Sequence, residues 1–213
     1  MNAELYDIKS DQISLLFQLI ADSDEKAFNR LFRAGFAPLV LFAHRYMRDK
    51  STAHDIVQEA FIKLWQQRAR LHDVQAPRSY LYRIVRNLCL NYLRDNAREQ
   101  PADVYEEGTE FSRAQHESPR NTAQEQIDDE ERQRRQMELL HEWVNGLPER
   151  QREAFELSRF EGLDHDEIAA VMGVSAKTVN NHITGALQNI RALKASYEKK
   201  NISLSKWQHV SGI

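Results

Sequence analysis

LPERQREAFELSRFEGLDHDEIAAVMGVSAKTVNNHITGALQNI, residues 147–190, contains two helix starts and one sharp turn inside a hydrophobic pattern of helical period. Asp164 followed three residues later by Glu167 forms a capping box, Gly173 supplies a turn, and Ser175 caps a second, longer helix. This is the spacing of a helix-turn-helix. In the second helix Val179, Ile183, Ala186, Leu187 and Ile190 fall on one side, leaving Lys177, Asn181, Thr184, Gln188 and Arg191 facing outward. Such a face can enter a major groove, where the amides of Asn181 and Gln188 suit bidentate contacts to adenine. Gly185 costs about 1 kcal/mol against Ala inside a helix. It either lets the backbone approach a phosphate or is tolerated beside a packed neighbour, the second account being preferred. A three-helix core with no role on DNA is the bland alternative for the whole segment.

The helical period extends outward from this segment. No stretch alternates with period two over a useful length, whereas period 3.6 recurs throughout, which predicts an all-α fold. Ile127, Met137, Leu140 and Val144 share a face in a helix that starts near Thr122 and ends at Gly146 and Pro148. Residues 96–121 lack periodicity, carry Pro101, Gly108 and Pro119, and read as a flexible linker. Charge follows the same division. Residues 15–95 hold 13 Lys/Arg against 8 Asp/Glu, 96–137 hold 6 against 11, and 138–195 hold 6 against 9, in a chain of net charge −3. The expected organisation is therefore a mildly basic domain at 15–95, an acidic connector at 96–137, an acidic helix-turn-helix domain at 138–195 and a tail at 196–213. For the tail three outcomes stand open: it extends the last helix, packs Trp207 on a domain, or stays disordered.

Two further helices carry surfaces that core packing does not explain. In DIVQEAFIKLW, residues 55–65, the side chains of Ile56, Val57, Ala60, Phe61 and Leu64 share one face, and Asp55, Gln58, Glu59 and Ile62 share the other. An exposed Ile among polar groups is either an ordinary solvated face or a seat for a partner helix. In APRSYLYRIVRNLCLNYLR, residues 76–94, there are four arginines and no acid. Ile84, Val85, Leu88, Cys89 and Tyr92 form its apolar side, and Tyr80, Arg83, Asn87, Asn91 and Arg94 line the opposite one. Guanidinium pairs with phosphate, amides read base edges and aromatic rings stack on unpaired bases, so this stripe fits nucleic acid as well as it fits solvent.

Composition narrows the functional classes. The single cysteine, Cys89, leaves no disulfide framework and no paired-thiolate zinc site, which suits a reducing cytoplasm. The longest apolar run, Phe36 to Ala43, contains Pro38 and falls short of the roughly 20 residues of a membrane span. No basic and apolar leader opens the chain, so neither membrane insertion nor secretion is expected. The 8 histidines show no metal-ligand spacing, and neither a Gly-rich phosphate loop nor a nucleophile elbow occurs. No catalytic residue, no metal, no cofactor and no enzymatic activity are expected.

The three surfaces together resemble one family, the bacterial RNA polymerase sigma factors of the extracytoplasmic-function (ECF) type, across about residues 15–95 and 138–195. The resemblance implies that Asp55, Gln58, Glu59, Ile62 and Trp65 lie on the helix that grips the beta-prime clamp helices of core RNA polymerase. It implies that residues 77–95, with Arg78, Tyr80, Arg83, Asn87, Asn91 and Arg94, open and read the minus-ten promoter DNA, a loop within Leu71 to Ser79 holding flipped bases. It assigns minus-thirty-five reading to Ser175, Lys177, Thr178, Asn180, Asn181, Thr184, Gln188 and Arg191, and it adds the polymerase beta flap and an anti-sigma factor as partners. Many relatives carry arginines where this chain has Asn180, Asn181 and His182. Because KTVNNHI, residues 177–183, also resembles LuxR-type regulators, a free-standing regulator with a helical sensor domain is the alternative. The charge count favours the first reading: an acidic reading domain has little affinity of its own for DNA phosphates, and delivery by polymerase supplies what it lacks.

Overall fold

The computed structural model describes the backbone of residues 10–47, 49–99 and 125–210 and the side chains of 11–47, 49–97 and 134–199. Its α-helices are α1 (Ser10–Ala21), α2 (Glu25–His44), α3 (Lys50–Gln66), α4 (Pro77–Glu99), α5 (Glu125–Asn145), α6 (Glu149–Arg159), α7 (His165–Met172) and α8 (Ala176–Val210), with a 3-10 segment at Arg68–Asp73 between α3 and α4. Among the described residues there is no strand, as the all-α expectation requires. Most of the expected linker, residues 100–124, lies outside the described residues.

The chain forms two compact units. The first joins α1 to α4 with the segment Glu161–Ser175, which carries α7. Its helices start where carboxylates cap them. Asp24 accepts from the Lys26 and Ala27 N–H groups at 2.8 and 3.0 Å. The Ser51 hydroxyl and the Thr52 N–H and hydroxyl hold the Asp49 carboxyl well below the usual carboxylate range. Phe17, Leu31, Leu39, Leu64 and Tyr82 are fully buried, and Phe28 and Phe32 on α2 meet Phe61 on α3 edge to face. Pro38 sits buried inside α2, so the apolar run from Phe36 continues through it within one helix. Among the described residues no helix is long and apolar enough to cross a membrane. Cys89 is fully buried on α4, and burial pushes its thiol up to about 12.

The second unit joins α5, α6 and α8. Val144, Leu147, Phe155 and Ala186 make its core, with Leu140, Leu187 and Ile190 packed against it. Met137, expected on the same face of α5, is 52% exposed, and the first fully buried core residue of this helix, Val144, lies seven positions on; the side chain of Ile127 is outside the described residues. Gly185 on α8 is explained by its neighbour on α6. A Cβ there would lie 2.9 Å from Gln151 Nε2, and the Gln151 side chain, which accepts from Asn189 Nδ2 at 2.8 Å, occupies that space. The glycine admits a packed side chain, which is the preferred of the two accounts. Backbone helix continues along α8 to Val210, so the tail extends the last helix; the Trp207 side chain lies outside the described residues.

The capping box is present as expected. Asp164 Oδ1 accepts from the Glu167 N–H at 2.8 Å, and Glu167 Oε2 accepts from the Asp164 N–H at 3.1 Å. Gly173 ends α7 with φ +68°, a conformation a side chain would strain. Asp164→Ala is expected to lower stability by about 1 kcal/mol, with Asp164→Ser close to the parent. Urea unfolding followed by circular dichroism checks this, an unchanged midpoint in the alanine variant being the contrary result.

Within the range 138–195, the segment Glu161–Ser175 packs with α1 to α4 in the first unit. The anchors are the fully buried Glu161 carboxylate and the buried apolar face of α7, formed by Ile168, Val171 and Met172. Contacts of this kind link residues far apart in the chain and leave no periodic trace.

Candidate polymerase-docking and nucleic-acid interfaces

On α3 the amphipathic split places each group where the period predicts. Ile56, Val57, Ala60, Phe61 and Leu64 are buried, while Asp55, Gln58 and Glu59 are exposed and Ile62 is 55% exposed. Glu59 Oε1 receives Lys63 Nζ at 2.8 Å one turn on, so the face is less acidic than its composition suggests. Trp65 is placed differently from the other four. Its ring lies 5.0 Å from that of Phe28 on α2 and has the Arg68 guanidinium 4.7 Å from its centroid, which leaves it half-buried at the edge of the face.

On α4 the exposed stripe comprises Arg83, Asn87, Asn91 and Arg94. Tyr80 is half-buried at its start. The ring meets Phe17 of α1 edge to face at 6.2 Å, and the Arg83 guanidinium lies 5.3 Å from its centroid. Tyr80 therefore props Arg83 toward solvent as a cation–π partner. Arg78, also expected on this surface, turns away from it and donates to the Glu161 carbonyl oxygen. Val85, Leu88 and Cys89 are buried as expected and Ile84 is half-buried. Tyr92 corrects the sequence reading. It is 44% exposed, and residues 91–95 are exposed throughout, so α4 outruns the core formed by the described residues. Sequence reasoning missed the buried Arg86, since a guanidinium in a helical pattern reads as surface. Before α4, the 3-10 segment is held on α1 by His72. Its Nδ1 lies 2.7 Å from Gln18 Oε1 and its Nε2 lies 3.2 Å from Asp22 Oδ1.

On α8 of the second unit, Val179, Ile183 and Ala186 are buried, and Lys177, Asn180, Asn181, Thr184, Gln188 and Arg191 are exposed. Ser175 is exposed at the helix start and Thr178 is half-buried. The outward face thus offers amides, a hydroxyl and two cations with no carboxylate between them. Among the described residues no group of His, Cys, Asp or Glu side chains is placed to hold a metal.

Comparison with known proteins assigns both halves. Residues 31–99 match the family description Sigma-70 region 2, and residues 137–190 match Sigma-70, region 4. The RNA polymerase sigma-H factor of Pseudomonas aeruginosa is 30% identical over 187 residues, which span 86% of this chain and 94% of that protein. The chain belongs to the ECF sigma factors. The ECF RNA polymerase sigma-E factor of Escherichia coli is likewise 30% identical over 189 residues, spanning 85% of this chain and 92% of the relative. Among solved structures, that of CnrH in complex with the cytosolic domain of CnrY shares the fold, with a TM-score of 0.57 and 23% identity across 87% of this chain and 99% of that one. The sigma factor binds core RNA polymerase and promoter DNA and directs transcription initiation. A free-standing LuxR-like regulator is not favoured, because this chain matches both Sigma-70 region 2 and region 4 and aligns with a sigma factor over 94% of that protein.

Proposed function

We propose that the exposed faces divide the work of initiation among themselves. Asp55, Gln58, Glu59 and Ile62, with Trp65 at the rim, dock on the beta-prime clamp helices of core polymerase. Arg83, Asn87, Asn91 and Arg94 engage the minus-ten segment as its strands separate, with Tyr80 and Arg78 supporting that surface from within. The outward face of α8, from Ser175 through Lys177, Thr178, Asn180, Asn181 and Thr184 to Gln188 and Arg191, reads the minus-thirty-five element under the beta flap. Domain roles follow the expected ranges, 15–95 for docking and opening and 138–195 for upstream reading, joined through 96–137. No covalent chemistry, metal or cofactor is involved, and the work is done in the cytoplasm. An anti-sigma factor is the expected negative partner; CnrH, which shares the fold, is complexed with the cytosolic domain of CnrY.

The acid-free stripe on α4 carries this reading most directly. A solvated helix face ordinarily mixes both signs of charge, whereas Arg83, Asn87 and Asn91 present only a cation and amides, and an acid enters only at the far end, where Asp95 meets Arg94 at 3.3 Å. Reconstitution with core polymerase and run-off transcription on a panel of single-base promoter variants tests the proposal. The parent protein should start transcripts at defined sites. Asn181→Ala and Gln188→Ala should each relax preference at a separate minus-thirty-five position, by about 1 to 3 kcal/mol where the contact is bidentate. An unchanged preference profile in both variants moves the reading to other residues.

A further inference from the structure

Within the second unit, α6 and α8 meet through apolar groups and through one pair of amides. The apolar contact brings Phe155 of α6 to Ala186 of α8, and contacts of that kind have no direction. The amides do. Gln151 stands in the first turn of α6, where its backbone N–H donates to the Pro148 carbonyl at 2.9 Å. Its side-chain Oε1 accepts from Asn189 Nδ2 of α8 at 2.8 Å. Its Nε2 and Cδ lie 2.9 and 3.2 Å from the place that a Cβ on Gly185 would take. Gly185 and Asn189 are one turn apart on α8, so the Gln151 amide lies along that turn in a slot that only a glycine leaves open.

The slot borders the outward face of α8. Asn181, Gly185 and Asn189 follow one another at helical intervals, and Gln188 is the chain neighbour of Asn189, so the two amides assigned above to base contacts flank the place that Gln151 fills. Small rotations of α8 matter there. A helix with its side chains has a radius of about 5 to 6 Å, so turning it by about 20° on its axis carries the tip of a side chain about 2 Å. Hydrogen bonds of the kind that pair an amide with a base edge hold over a range of about 0.5 Å. Glycine in a helix interior is less stable than alanine. At position 185 that cost is offset by a directional contact, and the contact fixes the angle at which α8 presents its amides.

We propose that Gln151, seated over Gly185 and bonded to Asn189, is a positioning residue for promoter reading, which fixes the rotation of α8 on α6 and so decides which bases Asn181 and Gln188 meet. This rests on the proposed minus-thirty-five role of α8, and it adds Gln151, Gly185 and Asn189, none of which belongs to the face assigned to DNA. Three substitutions should be equivalent. Gln151→Ala removes the latch, Asn189→Ala removes its partner, and Gly185→Ala drives the Gln151 amide out of its slot.

Full-length protein with core polymerase, in run-off transcription on single-base variants of the minus-thirty-five element, tests the assignment. Gln151→Ala should lower discrimination between the preferred base and its alternatives by about three-fold or more at the positions set by Asn181 or Gln188, with minus-ten preferences at their parental values. Gly185→Ala should give the same altered profile even though alanine is the better helix former. Adding Gly185→Ala or Asn189→Ala to Gln151→Ala should change the profile no further, because all three act through one contact. Thermal unfolding followed by circular dichroism accompanies each variant. A role confined to stability would lower the midpoint or scale all promoters alike, so a parental profile in folded Gln151→Ala overturns the proposal. A parental profile in Gly185→Ala beside an altered one in Gln151→Ala also overturns it, as do additive effects in the double variants, since Gln151 would then act by a route other than its seat on α8. Asn181→Ala and Gln188→Ala are measured alongside. A profile that moves with these two and not with Gln151→Ala overturns the latch alone, and one that moves with none of them overturns the reading beneath it as well.

Discussion

Gln58→Ala combined with Glu59→Lys is expected to abolish binding to core polymerase while leaving the helical circular dichroism unchanged. Both side chains are exposed on α3, on the face opposite Ile56, Val57, Ala60 and Phe61, so neither contributes to the core. Loss of one interface hot spot costs about 2 kcal/mol or more, which is a weakening of roughly thirty-fold, and the second substitution adds to it. The Glu59–Lys63 pair adds to the effect of reversal. Lysine at 59 would stand one turn from Lys63, where Glu59 Oε1 now receives it at 2.8 Å, and the sign of the net charge on this face would reverse from negative to positive. The helix itself would lose only a few tenths of a kcal/mol from that like-charge pair. Co-purification on immobilised core polymerase measures the outcome, and parental retention of the double variant removes docking from this face.

The second large effect is expected on α4. Arg83→Ala and Asn87→Ala should each impair transcription from a closed duplex promoter without loss of polymerase binding. Both residues are exposed and lie opposite the buried Val85, Leu88 and Cys89. Arg83 meets phosphate under the proposed reading, so its loss should weaken all promoters alike and flatten the salt dependence by about one unit. Under the same reading Asn87 or its neighbours meet bases, so the effect of its loss should vary between promoters. A template already opened across the minus-ten segment separates melting from docking: the defect should shrink on it if the stripe helps part the strands. A defect that tracks loss of helicity would return the stripe to scaffold.

These two surfaces were legible because period and exposure coincide in them. A 100° step per residue puts Val57 inward and Gln58 outward, and the structure agrees for nearly every residue of α3. The capping box at Asp164 and the left-handed Gly173 were legible for a related reason, since both act within four residues of chain. What could not be read is what the chain does at long range. Glu161 meets Arg45 and Tyr82 across 116 and 79 positions, and in the sequence it is one acid in a connector, FEGLD, that suggests only a turn. Trp65 entered as a docking residue through the family resemblance alone, and its packing against the Phe28 ring of another helix has no periodic trace. Tyr92 failed for a different reason. Period puts it inward, but a helix can be longer than the core it packs on.

Cys89 has a consequence of a different kind. It is the only cysteine in 213 residues, and it is fully buried on the helix that bears the minus-ten stripe, with its thiol pushed up to about 12. Thiols oxidise, alkylate and exchange as thiolates, and burial keeps this one in its protonated form at neutral pH. While α4 stays packed, this sulfur is therefore a poor target for oxidants and alkylating agents. The sulfur becomes reactive only when α4 loosens from its neighbours, which makes it a latent marker, present in every copy of the protein, of whether that helix is seated.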